Sequence, residues 1–232
     1  MSDSNAKIEF AYWGIHGLGA VCRLSLVHAV GIDGFVNTYI TSDEEWAAVS
    51  EKHRGDNAFI NLPFIKFPDT PVLSQSVAVL KAIGRRFNLS GETIADQERV
   101  DEILTNFSDY HTEYVKLSYL CSKEQFPEYK ADFERETIPY YFGGLDRLLG
   151  TRKVAFFGGN AVSVADFKVY ANGLALSVLH GTPSVSAEFA KFPHLKAWAA
   201  RMEALPSVQA FHASPMSKLS CNGSGAQWDP AV

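Results

Sequence analysis

IEFAYWGIHGLG, residues 8–19, begins with six positions dominated by β-branched and aromatic side chains and then runs through three glycines. Read locally, it is a strand ending at Gly14 and a glycine-rich turn; Leu24, Val27 and His28 then recur at helical spacing. Working outward, FVNTYI (35–40) reads as a second strand, and Pro63–Phe67 with Pro71–Leu73 reads as a hairpin around Pro68-Asp69. Ser76 opens a helix with Val77, Leu80, Ile83 and Phe87 on one face. The pattern changes after FNLSGET (87–93), where Asn, Ser and Gly interrupt it. Val100, Ile103, Leu104, Phe107, Tyr114 and Leu117 then repeat at three and four residues, which predicts a long amphipathic helix from Asp96 to about Leu120. Further helical windows fall at 126–149, 163–180 and 193–205. The expected organisation is therefore an α+β unit over 1–89 followed by an all-helical unit over 90–232. The stretch 214–232, rich in Ser, Gly, Pro and Asn, is expected to run irregularly over the surface.

Composition excludes several function classes. The 232 residues carry 21 Lys+Arg against 26 Asp+Glu, a net charge of −5, which disfavours a sequence-independent grip on nucleic acid or anionic lipid. The 3 cysteines, Cys22, Cys121 and Cys221, stand about a hundred residues apart and offer neither a disulfide framework nor a CxxC pair. No apolar run of about 18 residues occurs, and MSDSNAKIEF lacks the charged and apolar regions of an export signal, so a cytoplasmic protein that does not engage a membrane is expected. The 7 histidines lack ligand spacing, and no metal is expected.

The order β-α-β, variable segment, β-β-α resembles the thioredoxin-like arrangement of a small mixed sheet. Four local strings sharpen the resemblance: AYWGIHGLG (11–19), NLPF (61–64), SQSVAVLKAIGRRFNLSGET (74–93) and FFGGNAVSVADF (156–167). Together they resemble the cytosolic glutathione transferases, over nearly the whole chain. The Tyr-Trp pair, Asn-Leu-Pro, Gln-Ser-x-Ala-x-Leu and the NLSGET linker are most similar to the mu class, with sigma as the near alternative. The sequence departs from the mu pattern at TSDEE (41–45), a shorter loop, and at His16, which stands where mu members carry arginine.

The resemblance implies an enzyme that uses glutathione as co-substrate, a homodimer, and a small electrophile as second substrate. A glutathione-dependent isomerase of the prostaglandin-synthase kind and a non-catalytic carrier of apolar ligands remain open as alternatives. Tyr12 ends the first strand, and on strand position alone it is a half-buried aromatic; the resemblance implies that its hydroxyl holds the glutathione sulfur. Gln75-Ser76 lies at a strand-to-helix junction, where free N–H groups and the helix dipole favour a carboxylate, although serine is also an ordinary N-cap. Pro63 is expected to be cis and to turn the Leu62 backbone outward toward a peptide ligand, with Asn61 beside it. Trp13, Leu18, Trp46 and Lys52 match positions that line the glutathione site. On the long helix, Asp109 matches the acid that reaches the neighbouring subunit's ligand, and Tyr119 the tyrosine facing the electrophile. Ser163 with Asp166 reads as a capping box whose role is stability.

Overall fold

The computed structural model describes residues 7–231. β1 (Ile8–Trp13) alternates buried and exposed side chains through Phe10 and then stays buried through Tyr12, as befits a central strand. The chain continues through α1 (Gly19–Val30), β2 (Phe35–Ile40), α2 (Asp43–His53), β3 (Phe64–Lys66), β4 (Leu73–Ser74) and α3 (Ser76–Arg86). The sheet order is β2-β1-β3-β4: β1 pairs parallel with β2, Tyr12 opposite Tyr39, and antiparallel with β3. β3 and β4 form the expected hairpin.

Beyond it lie α4 (Ile94–Val115), α5 (Phe126–Asp132), α6 (Ile138–Arg152), α7 (Val164–His180), the single turn α8 (Val185–Glu188), α9 (Pro193–Glu203) and α10 (Pro206–Ala213). The expected fold class, a small mixed sheet followed by a helical bundle, is observed. α4 widens into a π-helical turn over Lys116–Leu120, which delivers Tyr119 at its end. None of the described helices is long and apolar enough to cross a membrane.

Polar contacts fix the two parts against each other. Val164 N–H donates to the Leu89 carbonyl at 2.9 Å and Lys81 pairs with Asp101 at 2.7 Å; within the helical part, Glu92 N–H donates to the Gly158 carbonyl at 3.2 Å. Asp96 closes a capping box on Thr93 at the start of α4 and also pairs with Arg152 at the end of α6. Asp166 is fully buried: Oδ2 accepts the Ser163 N–H at 2.8 Å and the Ser163 hydroxyl at 2.7 Å, while Oδ1 accepts the Phe157 N–H and the Trp198 indole N–H.

Two expectations need correction. The segment after Ser42 is a helix, not a short loop: Ser42 Oγ accepts the Glu45 N–H at 3.2 Å, and Glu45 Oε2 reaches back to the Thr41 N–H at 2.8 Å. The tail is not a surface extension. It buries Cys221, Asn222 and Trp228, and it bonds to the first loop through His16 N–H to Ser220 O at 2.8 Å and Gly17 N–H to Cys221 O at 3.0 Å.

Candidate functional site

Tyr12 leaves the sheet at the end of β1 and lays its ring against the turn into α1. A Cβ added at Gly17 would stand 2.8 Å from the Tyr12 hydroxyl oxygen, and one at Gly19 would stand 2.4 Å from its ring, so only glycine at both positions admits this packing. The Leu18 N–H donates to the Tyr12 oxygen at 3.1 Å, which leaves the phenolic proton free to point elsewhere. Burial pushes the Tyr12 pKa up to about 12, against the lowering effect of the Leu18 N–H, so the hydroxyl is a neutral donor across the physiological range.

Beneath Tyr12 lies Arg23, which sequence reasoning missed. It is fully buried, donating to the Ile15 carbonyl at 2.6 Å, the Trp13 carbonyl at 3.0 Å and Asn37 at 3.2 Å. Its guanidinium sits 5.9 Å from the Tyr12 ring centre and 5.0 Å from that of Tyr39. It pins the first loop by two of its carbonyls and places a positive charge under the site. The signal was present: AVCRLSLV carries one cation in an otherwise apolar helical face.

Trp13 and Trp46 meet edge to face, 6.5 Å between ring centres, which joins α2 to the end of β1. Lys52 is exposed in the last turn of α2 and has no ion-pair partner among the described residues. The Leu62–Pro63 bond is cis. The Leu62 N–H, expected to meet a ligand, is taken at 2.8 Å by the side-chain oxygen of exposed Asn61.

Gln75 is held at φ 74°, a left-handed backbone that a non-glycine residue adopts only where its surroundings impose it. Gln75 is exposed, and Ser76 is half-buried at the first position of α3. Neither side chain makes a hydrogen bond among the described residues, so Ser76 is not serving as a cap; Gln75 holds that position.

Tyr119 is 37 % exposed, and its oxygen accepts the Gly223 N–H of the tail at 2.8 Å; it stands near enough to Tyr12 to raise the pKa of that residue. Tail residues Gly223, Ser224 and Ala231 also line a cleft of about 500 Å³ with Trp13, Ile15 and Thr41. Asp109 is exposed on α4 beside Tyr141 of α6, away from this grouping. Thus Tyr12, Trp13, Leu18, Trp46 and Tyr119 are tied to one region by direct contacts or mutual influence, and Asp109 belongs to another face. Among the described residues no group of three or more His, Cys, Asp or Glu is arranged to hold a metal ion.

Comparison with known proteins finds similarity to glutathione S-transferases. Residues 108–215 match the family model described as glutathione S-transferase, C-terminal domain. A glutathione S-transferase of Dirofilaria immitis is 30% identical over 222 residues, covering 94% of this chain and 99% of its own. Glutathione S-transferase Mu 3 of Homo sapiens is 28% identical, covering 96% of each chain. Among solved structures, the glutathione S-transferase Blo t 8 superposes with a TM-score of 0.81 at 23% identity, covering 95% of this chain and 99% of its own.

Proposed function

This chain belongs to the glutathione S-transferase family, and from that premise we propose that it adds the thiolate of glutathione to small apolar electrophiles, with the Tyr12 hydroxyl stabilising the sulfur anion. The observation that carries the reading is the Tyr12 oxygen accepting from Leu18 while its own proton stays uncommitted. That proton is the donor a thiolate needs. The thiol proton leaves to solvent, the sulfur lone pair forms the new S–C bond, and the electrophile's leaving group departs with its electron pair. Arg23 adds a positive field beneath the ring. The cleft of about 500 Å³ beside Trp13, closed on one side by the tail, receives the electrophile next to Tyr119. Cytosolic location and a part in detoxification follow from the same reading.

The remaining glutathione contacts are assigned from the family resemblance together with the chemistry of each group. The free Ser76 hydroxyl, the Gln75 amide and the N-terminus of α3 hold the γ-glutamyl carboxylate. Leu62 pairs with the ligand backbone once its N–H exchanges Asn61 for the peptide. Trp46 and Lys52 serve the glycine carboxylate. Replacing Ser76 with alanine removes one donor while the helix N-terminus remains, so glutathione is expected to bind about fivefold more weakly, at about 1 kcal/mol for a net hydrogen bond. The rate at saturating glutathione should change much less; the reverse pattern in steady-state kinetics contradicts the assignment.

We assign the chain a homodimeric state as well. Phe59, on the loop before Asn61, is 82% exposed, and a cleft of about 280 Å³ opens between α4 and α6 beside Tyr140, Tyr141 and Leu148. A second copy supplies the apolar cover that both features lack, and on that face Asp109 of the partner subunit reaches the ligand amine. Sedimentation of the wild type at micromolar concentration should give a dimer, and Phe59→Asp should shift it toward monomer. A wild-type monomer sinks the dimeric reading.

A further inference from the structure

α7 carries a lysine where its helical face is otherwise core. Lys168 is 3% exposed, and its ammonium makes no hydrogen bond and no ion pair among the described residues. It faces a partly enclosed cavity of about 30 Å³, lined by the first loop (His16, Gly17, Leu18), the first turn of α1 (Ala20, Val21), His111 and Tyr114 of α4, Asn172 of α7 and Cys221 of the tail. The charge here is one-sided. Lys168 lies in the second turn of α7, whose N-terminus is already capped by Asp166, and the cavity also meets the N-terminal turn of α1. No wall residue is a carboxylate. Asp229 in the tail engages the Cys221 N–H at 2.6 Å and forms no ion pair with Lys168. An isolated buried ammonium is costly, and a polar cavity of this size holds a water-sized species.

We propose that this cavity is a binding site for a small monovalent anion of chloride size, held by Lys168 beside the first turn of α1, which fastens the tail to the first loop. The volume excludes glutathione and multi-oxygen anions such as sulfate. The wall is built from the loop that bonds to Ser220 and Cys221 and from the tail itself, so occupation stabilises the closed arrangement around Tyr12 and Tyr119.

The groups facing Lys168 leave it as the one that titrates near neutrality. Burial lowers His16 and His111 to about 4, so both rings are neutral. Burial raises the Cys22 thiol of α1 to about 12 and pushes the Cys221 thiol and the Tyr114 hydroxyl up as well. Arg23 of α1, close enough to depress His16, is lowered to about 10 and stays charged. Burial lowers Lys168 itself to about 8, and an anion beside it restores the charged form.

The test uses the intact protein at constant ionic strength, with gluconate replaced stepwise by chloride. The wild-type unfolding midpoint at pH 7 should rise and saturate, by about 5 °C or more once chloride is a hundredfold above its dissociation constant. Lys168→Met should show no chloride-specific rise. An equal rise in both proteins, or none in the wild type, overturns the proposal. In weakly buffered wild-type solution at pH 8, saturating chloride should draw in about half a proton per chain, and none at pH 6. Absence of that uptake also overturns it, and the uptake alone decides should Lys168→Met fail to fold.

Discussion

Replacing Tyr12 with phenylalanine is expected to displace the pH–rate profile of conjugation by about two units toward alkaline pH, the shift from a bound thiol near 6.5 to a free one near 8.5. The hydroxyl proton is uncommitted because the oxygen already accepts from Leu18, so its deletion removes the sulfur's donor and, with it, the acceptor of the Leu18 N–H in the first loop. At pH 7 the thiolate fraction then falls from about three quarters to about 3%, while a Brønsted slope near 0.45 makes the remaining thiolate about eightfold more nucleophilic. The net loss is about threefold at pH 7 and about tenfold at pH 6, with the two enzymes equal near pH 7.6 and the mutant faster above it. This crossing separates thiolate stabilisation from damage to the site, which would lower the rate at every pH. The remaining acceleration comes from holding the electrophile against the sulfur, where effective molarities are far larger.

The largest effect on stability is expected from Asp166→Ala. Asp166 is fully buried and accepts from the Ser163 N–H, the Ser163 hydroxyl, the Phe157 N–H and the Trp198 indole. Its removal frees the start of α7 and strands buried donors on three other residues. A loss of about 3–5 kcal/mol is expected, as for a broken buried charged network, which at this chain length lowers the unfolding midpoint by about 10 °C. Glutathione affinity per folded molecule should be little changed. Thermal unfolding followed by calorimetry reads the first, and ligand titration well below the midpoint reads the second. A midpoint lowered by less than about 2 °C would mean that Asp166 does not hold the start of α7 in place.

The contrast between these residues shows where a sequence speaks for itself. The position of Tyr12 at the end of a strand, with glycines 17 and 19 after it, was legible from its neighbours, while the role proposed for its hydroxyl came from the family resemblance. Ser163 and Asp166 were legible for the same reason, three residues apart at a helix start. Trp228 was not. Its indole donates to Ser118 at 3.1 Å across 110 positions, and nothing in a stretch rich in Ser, Gly and Pro marks one tryptophan as core. The start of α2, within 41–45, was misread as a loop because its sequence is polar, although Ser42 and Glu45 form a helix-start pair that carried the signal. Arg23 and Lys168 share one cue, a cation within an apolar helical run, and the partners that give each its meaning lie on other elements.

The ultraviolet absorbance of bound glutathione thiolate, titrated against pH in the wild type and in Tyr12→Phe, bears most directly on the proposed activity. The account predicts thiolate forming near pH 6.5 in the wild type, about two units below the free thiol, and near 8.5 in the mutant. Glutathione that binds to both proteins with a thiol titrating near 8.5 in each would contradict it.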